Sequence, residues 1–154
     1  MKRALLSISL LIAAMAGVIA LGADHADAKG TSGKEMTTMK IRIKLDNKTL
    51  TATLADNATS ADFVSLLPLT LTLKNYASTE KISDLPKRLS TKGAPAGSDP
   101  DAGDIAYYAP WGNLAIYYKD FGYSDGLIKL GKIDGDAAVL NTAGELKATI
   151  ELIK

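Results

Sequence analysis

The sequence predicts a mainly β fold, either a small barrel or a closely packed antiparallel sheet, with one short α-helix and a few short helical turns. Three observations carry that prediction. Six or seven short segments alternate apolar and polar residues, the period of a half-buried strand. Only residues 57–67 switch to a helical period. Gly, Pro, Asn and Asp gather between the segments, where the chain has to turn. A closed barrel would also leave no open sheet edge to recruit another chain.

The elements follow in order. Residues 39–46, MKIRIKLD, place Ile41, Ile43 and Leu45 on one face and Lys40, Arg42 and Lys44 on the other. Residues 48–55, KTLTATLA, repeat the alternation through Leu50, Ala52 and Leu54. Asp46-Asn47 supplies the turn between them, so the pair reads as a β-hairpin with one wet face. Next, Thr59 and Asp62 have the spacing of a capping box, and Phe63, Leu66 and Leu67 make an apolar helical face that Pro68 ends. Residues 69–76, LTLTLKNY, return to strand. Residues 78–90 predict one or two helical turns broken at Pro86, and the Gly- and Pro-rich 91–103 a loop. Strands at 104–109 and 114–119 flank a Pro110-Trp111-Gly112-Asn113 turn. A strand at 127–133, a turn at 134–136, a helical turn at 137–140 and a strand at 146–153 complete the chain.

The N-terminus sets the compartment and the domain plan. Lys2 and Arg3 precede an uncharged run from Ala4 to Ala23, and Ala26 and Ala28 stand in an A-x-A arrangement. This is the layout of a secretory signal peptide over 1–28, cut near Ala28. The expected location is periplasmic or secreted, with no membrane attachment after cleavage; an uncleaved anchor in an inner membrane is the alternative. Residues 29–38 read as a flexible leader, and 39–154 as one domain. The chain has 18 basic and 17 acidic residues and no block of like charge, which gives no electrostatic case for nucleic acid. It has no Cys, and its one His, His25, leaves with the signal peptide. Thiol chemistry, a Ser-His-Asp triad and a His-ligated zinc are thereby excluded from the mature domain. No cofactor motif is present: GLIKLGKI at 126–133 misses a phosphate loop because Ile133 replaces the hydroxyl residue.

Two blocks, YASTEKISDLPKRL at 76–89 and GDIAYYAPWGNLAIYYKDFGYSDGLIKLGKI at 103–133, resemble the bacterial cyclophilin-like domain family. The resemblance covers about residues 39–153 and implies a small closed β-barrel. The members of this group are generally uncharacterised, so it brings no settled activity. True cyclophilins are peptidyl-prolyl isomerases that place an Arg beside a proline pocket, in a Phe-His-Arg segment after the first helix. Here the corresponding strand is LTLTLKN. The mature chain's arginines are Arg42 and Arg88 alone. A binding module without chemistry is therefore expected, with a divergent prolyl isomerase using Arg88 or Arg42 as the alternative.

The candidate binding site comes from the aromatic residues. Seven of the nine lie between Tyr107 and Tyr123. Strand alternation puts Ile105 and Tyr107 on one face and Tyr108 on the other. It likewise sets Leu114, Ile116 and Tyr118 opposite Tyr117, so most of these rings are expected to pack. Trp111, Phe121 and Tyr123 fall in turns, where rings more often meet ligands. Glu80, Lys81 and Arg88 are charged residues of an irregular segment that would point toward a barrel mouth. The expected site is Trp111, Phe121, Tyr123, Arg88 and Glu80, taking a peptide or small molecule. Asp99, Asp101 and Asp104 match a calcium loop poorly, since Pro110 stands where its last ligand belongs, so no metal is expected. Ser124-Asp125-Gly126 reads as a turn.

Overall fold

The computed structural model describes residues 38–154. The expected signal peptide at 1–28 and all but the last residue of the expected leader at 29–38 lie outside the described residues. Eight antiparallel strands close into a barrel: β1 (Lys40–Lys44), β10 (Leu146–Ile153), β3 (Leu69–Tyr76), β4 (Glu80–Asp84), β7 (Asn113–Tyr117), β6 (Asp104–Tyr108), β9 (Leu127–Ile133) and β2 (Thr49–Leu54), which returns to β1. Two-residue strands β5 (Gly97–Ser98) and β8 (Ser124–Asp125) pair beside it. The helix α1 spans Ala58–Val64, and a 3-10 helix spans Ala137–Leu140.

The hairpin, β9 and β10 form where alternation requires them. Ile41 and Ile43 of β1 and Ala52 and Leu54 of β2 are buried, with Ile41 opposite Ala52 and Ile43 opposite Leu50. In β9, Leu130 is an extra residue between the pairs Ile105–Gly131 and Ala106–Lys129. This bulge shifts the side-chain parity, so Leu130 and Ile133 both reach the core. Gly131 is required there, because a Cβ would strike the Thr53 carbonyl.

Three local expectations are corrected. The N-cap of α1 is Asn57, whose carboxamide oxygen accepts from the Ser60 N–H at 2.8 Å, rather than Thr59, which is buried. Asn57 also donates to the Lys129 carbonyl at 3.1 Å, which a hydroxyl residue cannot match in reach. Second, residues 80–84 are a strand rather than helical turns, hydrogen-bonded to both β3 and β7. Its inward residue is Lys81, which hides the apolar alternation. Third, 124–125 is a short strand rather than a plain turn.

The barrel interior is filled. Phe63 of α1 and Leu89 close one end, and the Tyr107 hydroxyl accepts from the Leu89 N–H at 3.2 Å. Ala137 and Leu140 of the 3-10 helix close the other, beside the β1–β2 hairpin. Lys81 runs inside this second end and donates to the carbonyls of Thr142 at 2.9 Å and Gly144 at 2.8 Å. Burial lowers its pKa, while the two carbonyls satisfy the ammonium. Neither end is an open mouth lined by Trp111.

Candidate functional site

The site lies on the outside of the barrel wall. Strand alternation sends Lys81 inward and Glu80 and Ile82 outward from β4. On β7 it sends Leu114 and Ile116 inward and Asn113, Ala115 and Tyr117 outward. Glu80 pairs with Tyr117, Ile82 with Ala115, and Asp84 with Asn113. The outward face thus has an acidic end at Glu80, an apolar floor of Ile82 and Ala115, and an amide end at Asn113. Four residues of strand separate the ends, about 13 Å.

Two loops raise walls over this floor. Trp111 projects from the turn between β6 and β7, where the Tyr108 carbonyl accepts from the Gly112 N–H at 2.8 Å. Gly112 has φ of 75°, a conformation that favours glycine. The indole stands edge-on to Tyr76 at 5.5 Å and to Tyr108 at 5.4 Å between ring centroids. Tyr76 lies on β3 beside Glu80 and Tyr108 on β6 beside Asn113, so the three rings cross the floor diagonally from one flanking strand to the other. Phe121 also lines the cleft, its loop tied down by its own N–H on the Pro100 carbonyl and by the Asp120 carboxylate on the Ala102 N–H. The cleft measures about 190 Å³ and is lined by Tyr76, Glu80, Tyr108, Trp111, Asn113 and Phe121 over the Ile82–Ala115 floor.

Two of its polar residues, Glu80 and Asn113, are buried. Glu80 is 7 % exposed, and none of the ion pairs among the described residues includes it. Burial raises its pKa, partly offset by hydrogen bonds from the Thr79 hydroxyl and the Tyr117 phenol. The same burial, with the Glu80 carboxylate beside it, pushes the Tyr117 phenol up. At the other end, Asn113 is buried and donates to the Leu114 carbonyl at 3.2 Å, while its Oδ1 has no donor. A buried acceptor left without a donor costs about 1–3 kcal/mol.

Of the expected site residues, the structure brings together Glu80, Trp111 and Phe121. Tyr123 does not line the cleft; it is 60 % exposed and its ring lies against Gly97 of β5. Arg88 does not line it either. Its guanidinium donates to the carbonyl of Ala109 at 2.7 Å and reaches that of Pro110, so it braces the turn that carries Trp111. Lys81 is inside the barrel. The cleft lies on the wall rather than at a mouth because both barrel ends are packed. Alternation placed Tyr107 and Tyr118 in the core as expected. The residues that sequence reasoning missed are Tyr76, Tyr108 and Asn113. With 80–84 read as a strand, Tyr76 and Glu80 fall on one face across the 77–79 turn, and that pairing was the available signal.

Asp104 is buried and engages Lys129 at 2.8 Å and Lys132 at 3.6 Å. Among the described residues no group of three or more His, Cys, Asp or Glu side chains is placed to hold a metal ion. No helix among the described residues is long and apolar enough to cross a membrane.

A closed eight-stranded barrel with an outer-wall cleft invites comparison with known families. The family described as the Cyclophilin-like family matches residues 43–151. The chain belongs to the cyclophilin-like family. Among solved structures, the barrel is similar to the solution structure of the hypothetical protein AF2241 from Archaeoglobus fulgidus, with a TM-score of 0.60. The two are 15 % identical, and the alignment covers 77 % of this chain and 98 % of that one. At that identity the likeness concerns the fold alone. No curated protein matches the sequence. The cyclophilin-like barrel thus brings an architecture.

Proposed function

We propose that this cyclophilin-like protein is an exported binding module that takes a peptide or small ligand in the outer-wall cleft and performs no chemistry on it. The observation that carries the reading is the cleft itself, three aromatic rings in contact and Phe121 over an apolar floor with a buried polar residue at each end. Apolar walls with a few placed polar groups are the usual make-up of a ligand site. The export half of the proposal rests on the signal-peptide layout of residues 1–28.

Cyclophilin-type prolyl isomerisation places an Arg near the prolyl nitrogen to weaken amide resonance, against a barrier of about 18–20 kcal/mol. Neither mature arginine lines the cleft. Arg88 holds the Trp111 turn, and Arg42 stands beside Glu151 on the opposite side of the barrel. The test has two parts. Trp111→Ala should abolish the binding of any cleft ligand while the barrel still unfolds cooperatively. A protease-coupled assay on an Ala-Pro peptide should show no acceleration; acceleration lost in Arg88→Ala would replace the binding reading with a divergent isomerase.

A further inference from the structure

The acidic end of the cleft holds a nearly buried carboxylate that no ion pair among the described residues includes. Glu80 is almost fully buried, beside Tyr117 and below the Tyr76–Trp111 wall, and no Lys or Arg among the described residues pairs with it. The neighbouring Lys81 is directed into the barrel, where two carbonyls hold it. A carboxylate taken out of water gains most from a cation that brings its own hydrogen-bond donors. Aromatic faces around it favour that same charge. From Glu80 toward Asn113 the floor is Ile82 and Ala115, which accept only an apolar stem. The rim is aromatic and open: Tyr76 is 44 %, Trp111 56 % and Phe121 46 % exposed. Exposed rings grouped in this way mark a surface that contacts more than a single buried group, as protein-borne ligands require.

We infer that the cleft receives a lysine side chain presented by a peptide, its ammonium at the Glu80 carboxylate, its alkyl stem on Ile82 and Ala115, and its flanking backbone on the exposed rings. The inference rests on the binding reading above and names the ligand class for that site. The ammonium fits because it presents three donors on a flexible stem, in a cleft too small for a bulky cofactor.

Calorimetric titration of the full chain with three probes tests it: acetyl-Gly-Lys-Gly-amide, the same peptide with norleucine for lysine, and 1,5-diaminopentane. The lysine peptide should bind at least about tenfold more tightly than the norleucine peptide. Glu80→Gln should remove that difference, with thermal melting confirming that the barrel is intact. Diaminopentane should bind more weakly than the lysine peptide, because it lacks the flanking backbone. Equal affinity for lysine and norleucine peptides would overturn the recognition of charge and leave the cleft as a binding site. Diaminopentane binding as tightly as the peptide would overturn the assignment to a peptide. No binding of any probe would overturn the proposal, and the binding reading then stands or falls on the Trp111→Ala experiment with other ligands. The probe comparison on the unaltered chain stands even if the Glu80 variant fails to fold.

Discussion

Phe63→Ala tests why the site is on the wall rather than inside the barrel. Phe63 is fully buried at the α1 end and packs into the single interior cluster. An aromatic side chain buries roughly 150–250 Å². At about 25 cal/mol per Å² that is ~4–6 kcal/mol, an upper bound because the unfolded chain already hides part of it. Observed Phe→Ala costs in cores are about 3–5 kcal/mol. The upper half of that range applies if the hole cannot collapse, and α1 is pinned against collapse at two points. Asn57 donates to the Lys129 carbonyl, and the Ser60 hydroxyl donates to that of Leu130 at 2.9 Å. The expected loss is about 4 kcal/mol, a large share of the ~5–15 kcal/mol that holds a typical domain together. Urea unfolding followed by far-ultraviolet circular dichroism measures it. The Trp111 indole resonance should not move, because the cleft is on the other face of the wall. A loss under about 1 kcal/mol would mean the α1 end is not packed, and the interior would return as a candidate site.

Two further outcomes follow from the cleft. Glu80 has its pKa raised by burial, so the folded state holds its proton to higher pH than the unfolded state does. Stability should therefore fall as pH rises through the window from the ordinary glutamate range to the raised folded value. Glu80→Gln should flatten that slope and be the more stable form above the window; an unchanged urea midpoint profile between about pH 4 and about pH 8 would contradict the burial of the carboxylate. Arg88→Ala removes one short charge-assisted bond and one long one at an exposed turn. The expected loss is about 1 kcal/mol of stability, together with several-fold weaker cleft binding as Trp111 loses its fixed position. Full retention of affinity would show that the turn holds without the brace.

Most of the barrel was legible because its wall obeys a period of two. The hairpin, β3 and β10 each hide an apolar face and wet the other, and the helix stands out by its different period. β4 was not legible because Lys81 occupies the inward position. Its ammonium is satisfied by loop carbonyls sixty residues further on, which no local pattern reveals. Losing β4 cost half the site: without it Glu80 had no neighbour and was assigned to a mouth. Trp111 and Phe121 were legible as rings in turns. Arg88 and Tyr123 have the same sequence character and point elsewhere, because direction in a turn is set by backbone geometry that composition does not carry. Asn113 shows itself only through the missing partner of its amide oxygen.

The most direct measurement is a map of backbone and indole chemical shifts as the lysine peptide is titrated into the isotope-labelled full chain. The largest changes should fall on Tyr76, Glu80, Ile82, the Trp111 indole and Phe121. Changes centred instead on Phe63 and Leu89, or on Leu140 and the β1–β2 hairpin, would place the ligand at a barrel end and contradict the outer-wall site.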